Sequence, residues 1–67
     1  MMDIYVNGKT RSIEENTTVE QLIEQLDLAH ERIAIEHNRS ILEAAQFFNI
    51  ILKAGDTVEI VRFVGGG

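Results

Sequence analysis

Three glycines, Gly65, Gly66 and Gly67, follow directly on a run with the pattern of a strand, Thr57 to Val64, and make the terminal carboxylate the first candidate for chemistry. Glycine lacks a Cβ, so a terminal Gly-Gly pair lies extended in a channel too narrow for any larger residue. Four residues from Val64 onward reach about 14 Å when extended, far enough for a partner enzyme to take the end into its active site while gripping the domain outside. The α-carboxyl group has a reference pKa of about 3.5 and is ionised at neutral pH, so one of its oxygens can attack the α-phosphorus of ATP. The resulting acyl adenylate has a good leaving group. A persulfide or other sulfur nucleophile on the partner can then displace AMP and, once a thiol has cleaved any S–S bond so attached, leave a thiocarboxylate on Gly67.

Other residue types offer less. His30 and His37 are the only imidazoles, one in a polar loop beside Glu31 and one at the end of a strand pattern, where histidine commonly serves as an ordinary polar residue. Glu14-Glu15 precedes a helix start, where the macrodipole favours negative charge. Gly8 and Gly55 are isolated turn residues, so the chain holds no glycine loop to cradle phosphates and is expected to bind no cofactor itself. ATP and Mg²⁺ are expected to be used by the activating partner. Without cysteine there is neither a thiolate metal site nor a sulfur nucleophile, so any sulfur must come from elsewhere.

The 67 residues suffice for one small domain with a thin core, and they leave little room for a private active site. A net charge of −5 repels nucleic-acid phosphates and suits a partner with a basic docking surface, although it also serves simple solubility. No apolar run approaches the roughly 20 residues of a bilayer span. The N-terminal segment, with Asp3 close behind Met1 and Met2, lacks the form of a secretory signal, and a cytoplasmic location is expected.

Several elements must position the tail. Asp3 to Asn7 alternate, with Ile4 and Val6 on one face. Asn7-Gly8 is the preferred pair for a tight hairpin, which sends Lys9 to Ile13 back antiparallel. Thr17-Thr18-Val19-Glu20 reads as a capping box with Thr17 as the cap, and Val19, Leu22, Ile23 and Leu26 then form one helical stripe. Ile33 to His37 resumes a two-residue period, Asn38-Arg39 offers a turn, and Ser40-Ile41-Leu42 forms a short returning strand. Between Glu43 and Leu52 neither period holds, so a short helical turn and irregular chain are expected to plug one end of the core. In the last strand Val58 and Ile60 face one way, and Val61 and Phe63 the other. A strand apolar on both faces is usually central. If the first and last strands are neighbours, Tyr5, Val61 and Phe63 form an exposed patch, the candidate docking surface.

These residues resemble the sulfur carrier family of thiamine biosynthesis, which has the ubiquitin-like β-grasp fold. The resemblance lies in Val6-Asn7-Gly8, Thr18-Val19 with Leu22 and Leu26, Ile33-Ala34-Ile35-Glu36 with Asn38, Gly55 to Val61, and the terminal glycines. It implies an α+β fold, a mixed four- to five-stranded sheet packed on one main helix, with a β-grasp domain over residues 1–64 and a flexible glycine tail over 65–67. It further implies a carrier rather than an enzyme. Gly67 would be adenylated by a ThiF-like, E1-like enzyme and converted to the thiocarboxylate with sulfur from a donor such as a cysteine desulfurase. A ThiG-like thiazole synthase would then take the sulfur, with Gly65 and Gly66 threading the partner's active site. The segment Glu43-Ala44-Ala45-Gln46-Phe47 departs from many relatives, which carry a proline or arginine before the aromatic, and no docking contact is carried over to it. Three alternatives share these features: the small subunit of molybdopterin synthase, a ubiquitin-like modifier, and a β-grasp binding module with an idle tail.

Overall fold

The computed structural model describes residues 1–63. Five strands are present: β1 (Met2–Val6), β2 (Lys9–Ile13), β3 (Ile33–His37), β4 (Ser40–Leu42) and β5 (Thr57–Arg62). One helix, α1 (Val19–Gln25), links β2 to β3, and a single 3₁₀ turn, Ala44–Gln46, lies between β4 and β5. The sheet order is β2-β1-β5-β3-β4, with β1 and β5 parallel and the other pairs antiparallel, so the last strand of the sequence sits at the centre. This is the expected α+β architecture, a mixed five-stranded sheet with one helix on it.

Both hairpins are closed by two-residue loops whose residues have positive φ, Asn7 (50°) with Gly8 (81°) and Asn38 (48°) with Arg39 (73°). Such turns match the right-handed twist of the strands they join. The second hairpin uses Arg39, an ordinary L residue, at the position where Gly8 makes the first one easy.

Packing follows the predicted faces. Ile4 and Ile13 from the first hairpin, Ile35, Val58 and Ile60 from the centre, and Val19, Leu22 and Ile23 from α1 are all buried together with Leu52. Each is expected to contribute about 1.5–3 kcal/mol relative to its exposed state. Leu52 comes from the segment that fits neither period, and Phe47 and Ile50 pack partly against the same core, so this segment does close one end of it.

The helix cap differs from the sequence expectation by one residue. Thr18, not Thr17, is the N-cap: its hydroxyl accepts from the Gln21 amide (3.1 Å), and Gln21 Oε1 accepts from the Thr18 amide (2.9 Å). Thr17 is buried instead, donating its hydroxyl to the Glu14 carbonyl (2.6 Å) while its own carbonyl accepts from the Leu52 amide (2.8 Å). The irregular segment supplies the rest of the cap. The Val19 and Glu20 amides, which have no partner within the helix, donate to the carbonyls of Ile50 (2.9 Å) and Phe47 (3.0 Å). At the other end Asp27 takes φ 60°, its amide donates to Glu24, and the Leu28 amide donates to Ile23, a Schellman ending without glycine.

Candidate functional site: the outer sheet face and the end of β5

The final strand precedes the terminal glycines in the sequence, and it is tied down at its start, its middle and its end. At its start Asp56 is a hub. Its Oδ2 lies 2.8 Å from His37 Nε2 and accepts from the Lys53 amide (2.9 Å), while Oδ1 accepts from Asn38 Nδ2 (3.1 Å). Asn38 Oδ1 in turn accepts from the Thr57 amide (2.8 Å). Burial alone would raise the Asp56 pKa. The hydrogen bonds from His37, the Lys53 amide and Asn38, together with the charge of His37, outweigh it and hold the carboxyl below its ordinary value. His37 thus has a structural partner that its position at a strand end did not disclose, whereas His30 is exposed in the loop before β3.

Half-way along β5 the tie is Asn7. Paired residues of β1 and β5 end at Val6 and Val58, where the first hairpin turns away. The Asn7 backbone amide still donates to the Val58 carbonyl (2.9 Å), and its side chain takes over the next position: Oδ1 accepts from the Ile60 amide (2.7 Å) and Nδ2 donates to the Ile60 carbonyl (3.2 Å). A primary amide presents the same donor and acceptor as a peptide group, so Asn7 continues the ladder where the strand stops. At the far end the Phe63 amide donates to the Arg32 carbonyl (2.9 Å), and Arg62 pairs with Glu31 (2.9 Å) on the surface. Phe63 is therefore still anchored four positions before Gly67. Gly65, Gly66 and Gly67, the residues singled out in the sequence, lie outside the described residues.

The three residues expected to form a docking patch are all exposed: Tyr5 (44%), Val61 (55%) and Phe63 (57%). They share the outer sheet face, opposite α1, but not one spot. Tyr5 is level with Thr57, so Val61 stands four residues further along β5, about 13 Å away at 3.3 Å per residue. The neighbours of Val61 and Phe63 come instead from β3 and β4. With Ala34, Glu36, Ile41 and Glu59 they line a shallow groove of about 240 Å³. Ile41 is 77% exposed and belongs to this groove, although a lone isoleucine in a three-residue strand carries no face signal in the sequence. Among the described residues no group of three His, Cys, Asp or Glu side chains could hold a metal ion, and no helix is long and apolar enough to cross a membrane.

Residues 4–67 match the model of the ThiS family. The chain belongs to the ThiS family. Its structure is similar to that of the thiamine biosynthesis protein ThiS from Geobacter metallireducens, with a TM-score of 0.84 and 35% identity, covering 98% of this chain and all of that one. The Bacillus subtilis sulfur carrier protein ThiS is 31% identical over 65 residues, which cover 96% of this chain and 98% of the relative. A thiazole synthase from Magnetococcus marinus is 35% identical over 66 residues, 98% of this chain. The chain spans only about a fifth (20%) of that relative's length, so the similarity concerns one stretch of a larger polypeptide. The ThiS-family match runs through the terminal glycines, which places them within the family pattern.

Proposed function

We propose that the chain is a sulfur carrier of thiamine biosynthesis and that it works through the carboxylate of Gly67. An E1-like adenylating enzyme, using ATP and Mg²⁺, joins a carboxylate oxygen to the α-phosphorus and releases pyrophosphate. If the sulfur arrives as hydrosulfide, attack on the acyl adenylate expels AMP and gives the thiocarboxylate directly. If it arrives as a persulfide, made for instance by a cysteine desulfurase, attack gives an acyl disulfide. A thiol must then cleave its S–S bond, ending as a disulfide itself. The thiocarboxylate delivers its sulfur to thiazole synthase in the cytoplasm, where ATP is available.

The chain is thus a co-substrate and not a catalyst. Its domain is a handle and its tail a reactive tip, with Gly65 and Gly66 narrow enough to enter the partner's active site. Val61 and Phe63, with Tyr5 further along the same face, form the docking surface for the partners. The observation that carries this reading is the ThiS-family match extending through Gly67 on a strand anchored as far as Phe63.

The test is genetic. Deleting the gene in its host is expected to create a requirement for the thiazole part of thiamine, relieved by the intact chain but not by one lacking Gly66 and Gly67. Loss of molybdenum-cofactor activity instead would point to the small subunit of molybdopterin synthase, and loss of lysine-linked conjugates to a protein modifier.

A further inference from the structure

The groove on the outer face contains an arrangement that the fold itself does not explain. Glu36 on β3 and Glu59 on β5 stand directly opposite each other, between inward pairs formed by Ile35 with Ile60 and His37 with Val58. Side chains paired in this way have Cβ atoms about 4.5–5.5 Å apart, and like charges there are destabilising. Neither carboxylate belongs to an ion pair among the described residues, where the pairs are His37 with Asp56 and Arg62 with Glu31. Ile41 faces Glu36 from the β4 side, and Ala34 and Val61 form the next row toward Phe63. Two glutamates without an ion-pair partner therefore stand as cross-strand neighbours along an otherwise apolar groove.

We propose that this groove receives an arginine of thiazole synthase, its guanidinium bridging Glu36 and Glu59 and its stem lying along Ile41 and Val61. This rests on the function proposed above. Arginine fits because its rigid fork of donors spans two acceptors, and its three methylenes cover apolar surface while the head stays charged. The groove also adjoins Phe63, the last described residue before the tail, so a partner gripping it holds the domain beside the route to its active site. Thiazole synthase is the chosen occupant because a polypeptide of that name contains a stretch similar to 98% of this chain, which keeps such a domain permanently beside the synthase. The acidic pair gains an opposite charge only when the cation arrives.

The experiment is calorimetric titration of the full chain into purified thiazole synthase of the same organism, at low and high salt. Wild type is expected to bind, and the double variant Glu36→Gln/Glu59→Gln to lose about tenfold or more in affinity along with much of the salt dependence. The same variant is expected to melt at or above the wild-type temperature, since a like-charge pair has been removed. A control with the same total charge, Glu20→Gln/Glu24→Gln on the exposed face of α1, is expected to stay within about twofold, which separates a local pair from general attraction. Should the double variant fail to fold, each single variant gives the same test with a loss of about threefold. Affinity of the Glu36/Glu59 variants equal to wild type overturns the inference and leaves the carrier function standing. If wild type itself does not bind the synthase, the inference falls together with the synthase as acceptor, while activation of Gly67 stands or falls on its own mass-spectrometric test.

Discussion

Replacing Asn7 with alanine tests whether one side chain really holds the tail-bearing strand. The substitution removes both side-chain hydrogen bonds to Ile60, leaving that residue's amide and carbonyl without their protein partner in a half-covered position. A fully buried unpaired group costs about 1–3 kcal/mol, and partial access to water brings the two together to about 1–2 kcal/mol. Alanine must also adopt the positive φ of 50° that asparagine tolerates well, which adds about 1 kcal/mol. The sum, about 2–3 kcal/mol, is a large share of the roughly 3–10 kcal/mol expected for a domain of this size. It corresponds to a fall in Tm of about 10–20 °C. Thermal and urea unfolding followed by circular dichroism read this directly. Asn7→Gly separates the two contributions, because glycine accepts the backbone angle and should lose only the hydrogen-bond part, about 1–2 kcal/mol. If both variants unfold within about 0.5 kcal/mol of wild type, the side chain is not continuing the ladder and the clamp is an idle contact.

Other consequences concern the hub, the patch and the tail. Because the folded Asp56 carboxyl titrates below its ordinary value, its stabilisation is complete above the unfolded pKa of about 3.9 and is lost as pH falls through the folded value. Asp56→Asn should therefore lower stability at pH 7 and flatten the loss of stability below about pH 4, measured by unfolding across a pH series. Phe63→Asp should leave the fold intact, since the side chain is exposed, but weaken docking; unchanged activation kinetics would remove Phe63 from the partner surface. Adding one residue after Gly67, or replacing Gly66 with leucine, should abolish adenylation while leaving Tm within about 2 °C, because a terminal segment contributes little burial. Adenylate formation in either variant at the wild-type rate would contradict the narrow-channel argument.

Much of this architecture was legible in local pattern. The stripe of Val19, Leu22, Ile23 and Leu26, the Asn7-Gly8 turn and the two-sided apolar character of β5 each rest on short-range sterics or burial, and each led to the observed element. The cap slipped by one residue because Thr17 and Thr18 both suit the role. Only the long-range bond from Leu52 to the Thr17 carbonyl, together with the burial of Thr17, decides between them. The segment from Glu43 to Leu52 had no readable period for a related reason: its carbonyls serve α1 and its side chains reach the core singly, through Phe47, Ile50 and Leu52. The outer-face groove was only half visible. Val61 and Phe63 follow from strand alternation, but their neighbours Ile41, Glu36 and Ala34 depend on the pairing of β5 with β3, and Tyr5 lies further along the face because of the β1 register. The hub of His37, Asn38 and Asp56 joins residues 19 positions apart, a distance no local spacing encodes.

Whether the last carboxylate carries the sulfur is read most directly by intact-mass spectrometry. The purified chain is incubated with extract of its own host, ATP and a sulfur source, and then fragmented to locate any change. A mass gain equal to the exchange of one oxygen for sulfur, confined to Gly67 and dependent on ATP, is expected. An unchanged mass, in an extract whose adenylating enzyme is shown to be active on another substrate chain, would contradict sulfur carriage by Gly67.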